Sequence, residues 1–136
     1  MVDRTENWVR LNNCYFYSTA NIKSMSDINE ITQALITFRD ERDWAQFHDS
    51  KNLATAISIE AAELNELFLW KSVQDAENVD KEKLKAELAD VLAFAFLLAN
   101  KHGFDIKQIM LDKIRKNAEK YPVEKAKGTS KKYDEL

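Results

Sequence analysis

Residues 81–103 read KEKLKAELADVLAFAFLLANKHG. Leu84, Leu88, Val91, Leu92, Ala95 and Leu98 recur at spacings of three and four, which is the period of one helix face. The stretch predicts a helix from about Lys81 to His102. Gly103 follows where a left-handed C-terminal cap is expected. From Val91 to Ala99 the helix is apolar almost all round, so it must be buried on every side. One small bundle does not easily bury a helix that way, and the expectation is a homo-oligomer.

Three further helices follow from the same period. The first runs from about Asp27 to Asp43, with capping-box spacing between Asp27 and Glu30 and a stripe of Ile28, Ile31, Leu35 and Phe38. The second runs from about Asn52 to Trp70, with Leu53, Ala56, Ile57, Leu64, Leu67 and Phe68 on its apolar face. The fourth starts near Asp105, carries Ile106, Ile109, Met110 and Ile114, and must stop near Pro122. Trp44 to Lys51 is a short irregular connector, and Ser72 to Asp80 is a polar loop. The predicted fold is therefore all-α, a four-helix bundle over residues 25–122.

Composition agrees. The 136 residues include 2 Gly and 1 Pro, too few for the turns of a strand-rich domain. With 20 Lys+Arg, 23 Asp+Glu and a net charge of −3, the chain lacks the basic stripe of a nucleic-acid binder. The single Cys14 excludes an intramolecular disulfide framework and a thiolate zinc cage. No apolar run approaches the roughly 18–20 residues that cross a bilayer, so the expectation is a cytoplasmic protein without a membrane partner. Residues 1–24 have no clear helical period, and Cys14-Tyr15-Phe16-Tyr17 leans towards strand. Asp3, Arg4, Glu6 and Arg10 break any secretory core. We read this segment as an extension, with Met25 as a candidate functional start. Residues 123–136 read as a mobile, Lys-rich tail.

Two acidic pairs stand in or beside the apolar stripes. Glu60 lies three after Ile57 and four before Leu64, and Glu63 lies four before Leu67. Glu87 lies three after Leu84 and four before Val91, and Asp90 adjoins Val91. Residues three apart share a helix face, so each pair projects its carboxylates together. Burying such charges unpaired costs several kcal/mol each, about the effective penalty per ion in proteins. No lysine sits on these stripes nearby. A hard divalent cation suits four carboxylates, and Mg²⁺ keeps waters for a phosphate ligand. The alternative is that a rotated helix puts the acids at a wet bundle edge. Di-iron bundles need Glu-x-x-His, and here the partners are Glu63 and Asp90. No phosphate loop and no nucleophile–histidine pair is legible. A Mg²⁺ site facing water points to hydrolysis of a phosphate ester or anhydride.

Glu60-Ala-Ala-Glu63 followed by Glu87-Leu-Ala-Asp90 resembles the E-x-x-E…E-x-x-D signature of the MazG-like, all-α nucleoside triphosphate pyrophosphohydrolases. The flanks Arg42-Asp43-Trp44-Ala45-Gln46-Phe47-His48, Asn52-Leu53, Glu66-Leu67-Phe68-Leu69-Trp70-Lys71, Lys113-Ile-Arg-Lys-Asn117 and Tyr121-Pro122 look like its dCTP pyrophosphatase branch. The resemblance covers about Asp27 to the C-terminus. It implies hydrolysis of (deoxy)nucleoside triphosphates to the monophosphate and pyrophosphate, with Mg²⁺ on Glu60, Glu63, Glu87 and Asp90. It also implies a homo-tetramer or dimer with sites shared between subunits, and a nucleotide pocket drawn from Trp44, Gln46, Phe47, His48 and Trp70.

The residues themselves allow the same roles. Trp44 and Trp70 offer flat faces for a base, and core packing is the other reading of Trp70. His48 suits a phosphate or base, or caps local backbone. Lys113 suits a triphosphate and Asn117 a base or sugar, the alternative being contacts between subunits. Leu35 and Phe94 stand where the mammalian-type members carry His and Tyr, which removes two hydrogen-bonding groups from the expected pocket. Glu63 is the candidate catalytic base. The substrate expected is dCTP or modified dCTP. The rivals are a broad-specificity pyrophosphohydrolase and a non-catalytic helical interaction protein.

Overall fold

Side-chain caps mark where the helices begin. Ser26, Asp49, Ser72, Asp80 and Asp105 each accept a backbone N–H of the following first turn, which satisfies donors the helix itself leaves open. In this computed structural model, residues 8–11, 14–17 and 26–136 are described. Strands β1 (Trp8–Leu11) and β2 (Cys14–Tyr17) pair antiparallel, with Trp8 opposite Tyr17 and Leu11 opposite Cys14. The strand tendency of Cys14–Tyr17 is thus realised, with Trp8–Leu11 as its partner strand; residues 1–7, 12–13 and 18–25 lie outside the described residues. Every other described element is helical: α1 (Asp27–Asp40), α2 (Ser50–Glu66), α3 (Val73–Ala76), α4 (Lys81–Lys101), α5 (Ile106–Lys120) and α6 (Val123–Ala126), with 3₁₀ turns at Trp44–Phe47 and Tyr133–Glu135.

The chain divides into two compact units, residues 1–47 and 48–136. In the first, α1 ends three residues earlier than its period suggests. Arg42 donates to the Phe38 carbonyl (2.8 Å) and the backbone turns left-handed at Asp43 (φ 54°), which starts the 3₁₀ turn. The N-cap is Ser26 rather than Asp27.

In the second unit, α2 packs along α4. Ser50, at the start of α2, bonds His102 at the end of α4 (Oγ to Nε2, 2.9 Å), so the two helices run antiparallel. Leu53 on α2 and Leu97 and Ala99 on α4 are the buried apolar residues among those described. They lie towards that same end of the pair. The acidic residues begin seven positions further along α2, about 10 Å at the helical rise. Gly103 (φ 66°) ends α4 as expected. Phe104 N–H returns to the Ala99 carbonyl (2.9 Å) and Gly103 N–H to Asn100 (3.0 Å), the pair of bonds of a Schellman cap. Leu88 and Leu92, read as inward, are each 47% exposed, because α2 covers only one side of a helix that is apolar nearly all round.

Three more expectations change. α2 closes at Glu66, and residues 67–70 form turns instead of a last helical turn. The 72–80 loop contains the short α3. The C-terminal segment is structured in part. Gly128 (φ 77°) reverses the chain after α6, and the Tyr133 ring meets Tyr121 edge-on at 6.1 Å, with Lys120 Nζ 4.9 Å from the Tyr133 centroid. No described helix is long and apolar enough to cross a membrane.

Candidate metal centre

The α2–α4 packing brings Glu60, Glu63 and Glu87 together: one carboxylate oxygen from each lies within 4.8 Å of the others. Opposed oxygens on an octahedral Mg²⁺ are about 4.2 Å apart, and on Ca²⁺ about 4.6–5.2 Å. The group therefore has the span of a divalent cation's coordination sphere. Glu60 and Glu87 are half-buried, while Glu63 is exposed. Asp90 is exposed and stands outside the group of three.

Burial pushes the Glu60 carboxyl above the usual glutamate range, and the charges of Glu63, Asp90 and Glu87 push it further in the same direction. Asp90 thus contributes to the field although it is not among the three converging oxygens. Among the described residues, none of the four acids has a Lys or Arg ion-pair partner. Three converging, uncompensated carboxylates fit a hard cation, which would lower their mutual repulsion.

A consequence for stability follows from the sign of that shift. A carboxyl whose folded-state pKa is raised binds its proton more tightly folded than unfolded. Its protonated form favours the fold, and that contribution is lost as pH rises from the ordinary glutamate value through the raised one. In EDTA, the melting temperature should therefore fall over that window in wild type. Glu60→Gln should flatten the dependence, as read by thermal melts at a series of pH values.

The nucleotide-pocket candidates fall in both units. In the second, His48 packs edge-on against Phe94, with centroids 6.2 Å apart and planes at 67°. Trp70 is 94% exposed and left-handed (φ 62°), with no aromatic partner among the described residues. That backbone conformation costs a non-glycine residue roughly 1–2 kcal/mol. Core packing is therefore not the role of Trp70 within this chain. The Lys113 and Asn117 side chains lie exposed on α5 and make no hydrogen bond or ion pair among the described residues.

In the first unit, Leu35 is half-buried on α1 and Trp44 is 44% exposed. Phe38 meets the Trp44 ring edge-on at 6.0 Å, and the Arg42 guanidinium lies 3.6 Å over Phe38 and 5.9 Å from Trp44. Phe47 is exposed on the same 3₁₀ turn. Gln46 donates from Nε2 to both the carbonyl and the carboxylate of Asp43, at 2.9 and 3.0 Å. Arg42 and Asp43 were not among the expected site residues. Their sequence signal is membership of the 42–48 flank that carries the family resemblance.

Residues 55–136 match the MazG-like family. The chain is 36% identical to dCTP pyrophosphatase 1 of Mus musculus over 114 residues, 80% of this chain and 67% of that one. This chain belongs to the MazG-like family. Human dCTP pyrophosphatase 1 gives the same identity and coverage. A solved pyrophosphatase from Archaeoglobus fulgidus superposes with a TM-score of 0.70 at 35% identity, over 75% of this chain and 98% of that one. The MazG-like chain therefore carries its acid cluster on a fold shared with a pyrophosphatase.

Proposed function

We propose that this chain is an Mg²⁺-dependent nucleoside triphosphate pyrophosphohydrolase acting on dCTP or a modified dCTP. The observation that carries the reading is the convergence of Glu60, Glu63 and Glu87 across the α2–α4 seam, with Asp90 adding to the same field. The relatives named for dCTP cleavage and the pyrophosphatase fold support it.

When bound, a divalent cation neutralises phosphate charge and makes water more acidic. Glu60, Glu63, Glu87 and Asp90 would hold that cation. Glu63 is the most exposed carboxylate of the converging three, and it takes the proton of the water that attacks the α-phosphate. Pyrophosphate then leaves. Lys113 meets phosphate charge and Asn117 a base or sugar; His48 and Trp70 in the second unit, and Trp44 and Phe47 in the first, are each candidates to contact the base. Phe94 supports His48 through their edge-on contact.

Self-association belongs to this reading. On α5, Met110 is 55% and Ile114 58% exposed, and α4 leaves Leu88 and Leu92 uncovered. A second copy is the simplest partner for so much apolar surface. The enzymatic domain spans residues 25–122, with 1–24 as an extension and 123–136 as a C-terminal segment.

A broad-specificity enzyme is the second reading. Leu35 and Phe94 cannot hydrogen-bond a base. A panel of canonical and 5-modified nucleotides separates the two. The proposal expects monophosphate and pyrophosphate as products, with cytosine nucleotides preferred. Equal rates for all bases favour the broad enzyme. Release of orthophosphate in place of pyrophosphate contradicts both.

A further inference from the structure

The α2–α4 seam is tied differently at its two ends. At the acid end the chain itself joins the helices, through residues 67–80 and the short α3. At the far end side chains join them. Ser50 Oγ, on the first residue of α2, lies 2.9 Å from His102 Nε2, across 52 positions of chain. By contrast, Thr55 donates to the Lys51 carbonyl, Ser58 to the Ala54 carbonyl and Lys85 to the Glu82 carboxylate, each within about one turn of its own helix.

The imidazole is itself held. Gly103 takes the left-handed φ of 66° that ends α4, and Phe104 N–H returns to the Ala99 carbonyl. Phe104 then stacks on His102, with ring centroids 5.5 Å apart and planes at 22°. Burial of Leu53, Leu97 and Ala99 also holds the seam, but apolar attraction has no direction. It resists separation of the helices more than sliding. A hydrogen bond has a preferred direction and length, so it resists sliding too.

Sliding matters at the acids. Glu60 and Glu63 come from α2 and Glu87 from α4. A slip of one residue's rise, about 1.5 Å, is most of a metal–oxygen bond. Mg²⁺ demands near-ideal octahedral geometry at about 2.0–2.1 Å, whereas Ca²⁺ accepts flexible arrangements at about 2.3–2.6 Å. We propose that the Ser50–His102 bond is a positioning contact for the cation site, fixing α2 against α4 at the register in which the carboxylates suit Mg²⁺. Ser50 stands ten residues before Glu60, about 15 Å along the helix, so it acts through the helix and touches no cation. This inference rests on the cation-site reading and adds the contact that sets its geometry.

The test titrates Mg²⁺ and Ca²⁺ separately, by calorimetry, with an uncleavable α,β-methylene nucleotide present. The proteins are wild type, Ser50→Ala, His102→Ala, the double variant and Ser50→Thr. Each single alanine variant should stay helical by circular dichroism and bind Mg²⁺ about 2–10-fold more weakly, the worth of one hydrogen bond. Ca²⁺ affinity should fall less, so the preference for Mg²⁺ narrows. The double variant should be no weaker than either single one, because both residues act through one bond. Ser50→Thr keeps the hydroxyl and should keep most of the wild-type affinity. Unchanged Mg²⁺ affinity in Ser50→Ala or His102→Ala overturns the inference. So do equal losses for the two cations, which mark plain destabilisation, and additive losses in the double variant. In each of those cases the cation reading survives. A wild type that binds neither cation takes down both.

Discussion

Replacing Glu63 with glutamine should lower pyrophosphate release by roughly 10²–10⁴-fold at saturating Mg²⁺, the usual worth of a positioned general base. Glutamine keeps the shape and one metal-binding oxygen but cannot take a proton from water. Glu63 is exposed on the well-formed α2, so the variant should stay helical by circular dichroism. The loss should fall on kcat, with KM for nucleotide little changed, because the missing interaction belongs to the transition state. Wild-type kcat in this variant would remove Glu63 from the mechanism.

The second large effect concerns the cation. EDTA should abolish hydrolysis, and added Mg²⁺ should restore it. Glu60, Glu63 and Glu87 converge without a basic partner, so the site depends on an added charge. Chelation should also leave repulsion among the acids uncompensated, and the melting temperature should rise when Mg²⁺ is returned. A helical interaction module would show neither response. Full turnover in EDTA would exclude a cation from the chemistry.

Local chemistry made part of this molecule legible in its sequence. The Asp105 cap, the Gly103 terminator and the two i,i+3 acidic pairs are decided within a few residues, and all stand where the pattern puts them. The end of α2 was not legible. Leu67-Phe68-Leu69-Trp70 is apolar throughout, so nothing in its period marks the exit at Glu66. The left-handed turn at Asp43 is decided by a side chain folding back on the backbone, which period cannot register. Tyr133 meeting Tyr121 is a contact between distant residues, so composition alone made the tail look featureless. At the site, sequence placed the four acids on two helices. Only packing distinguishes the three that converge from Asp90 at their margin.

The central claim is that these carboxylates hold the cation that makes the site work. Calorimetric titration of Mg²⁺ into the protein, with an uncleavable α,β-methylene nucleotide present, tests it most directly. Wild type should bind Mg²⁺, and more weakly as pH is lowered towards the raised Glu60 titration, since the carboxylate must be ionised to coordinate. Glu60→Gln/Glu87→Gln should lose that binding while remaining folded. Equal Mg²⁺ affinity in the two proteins would contradict the account.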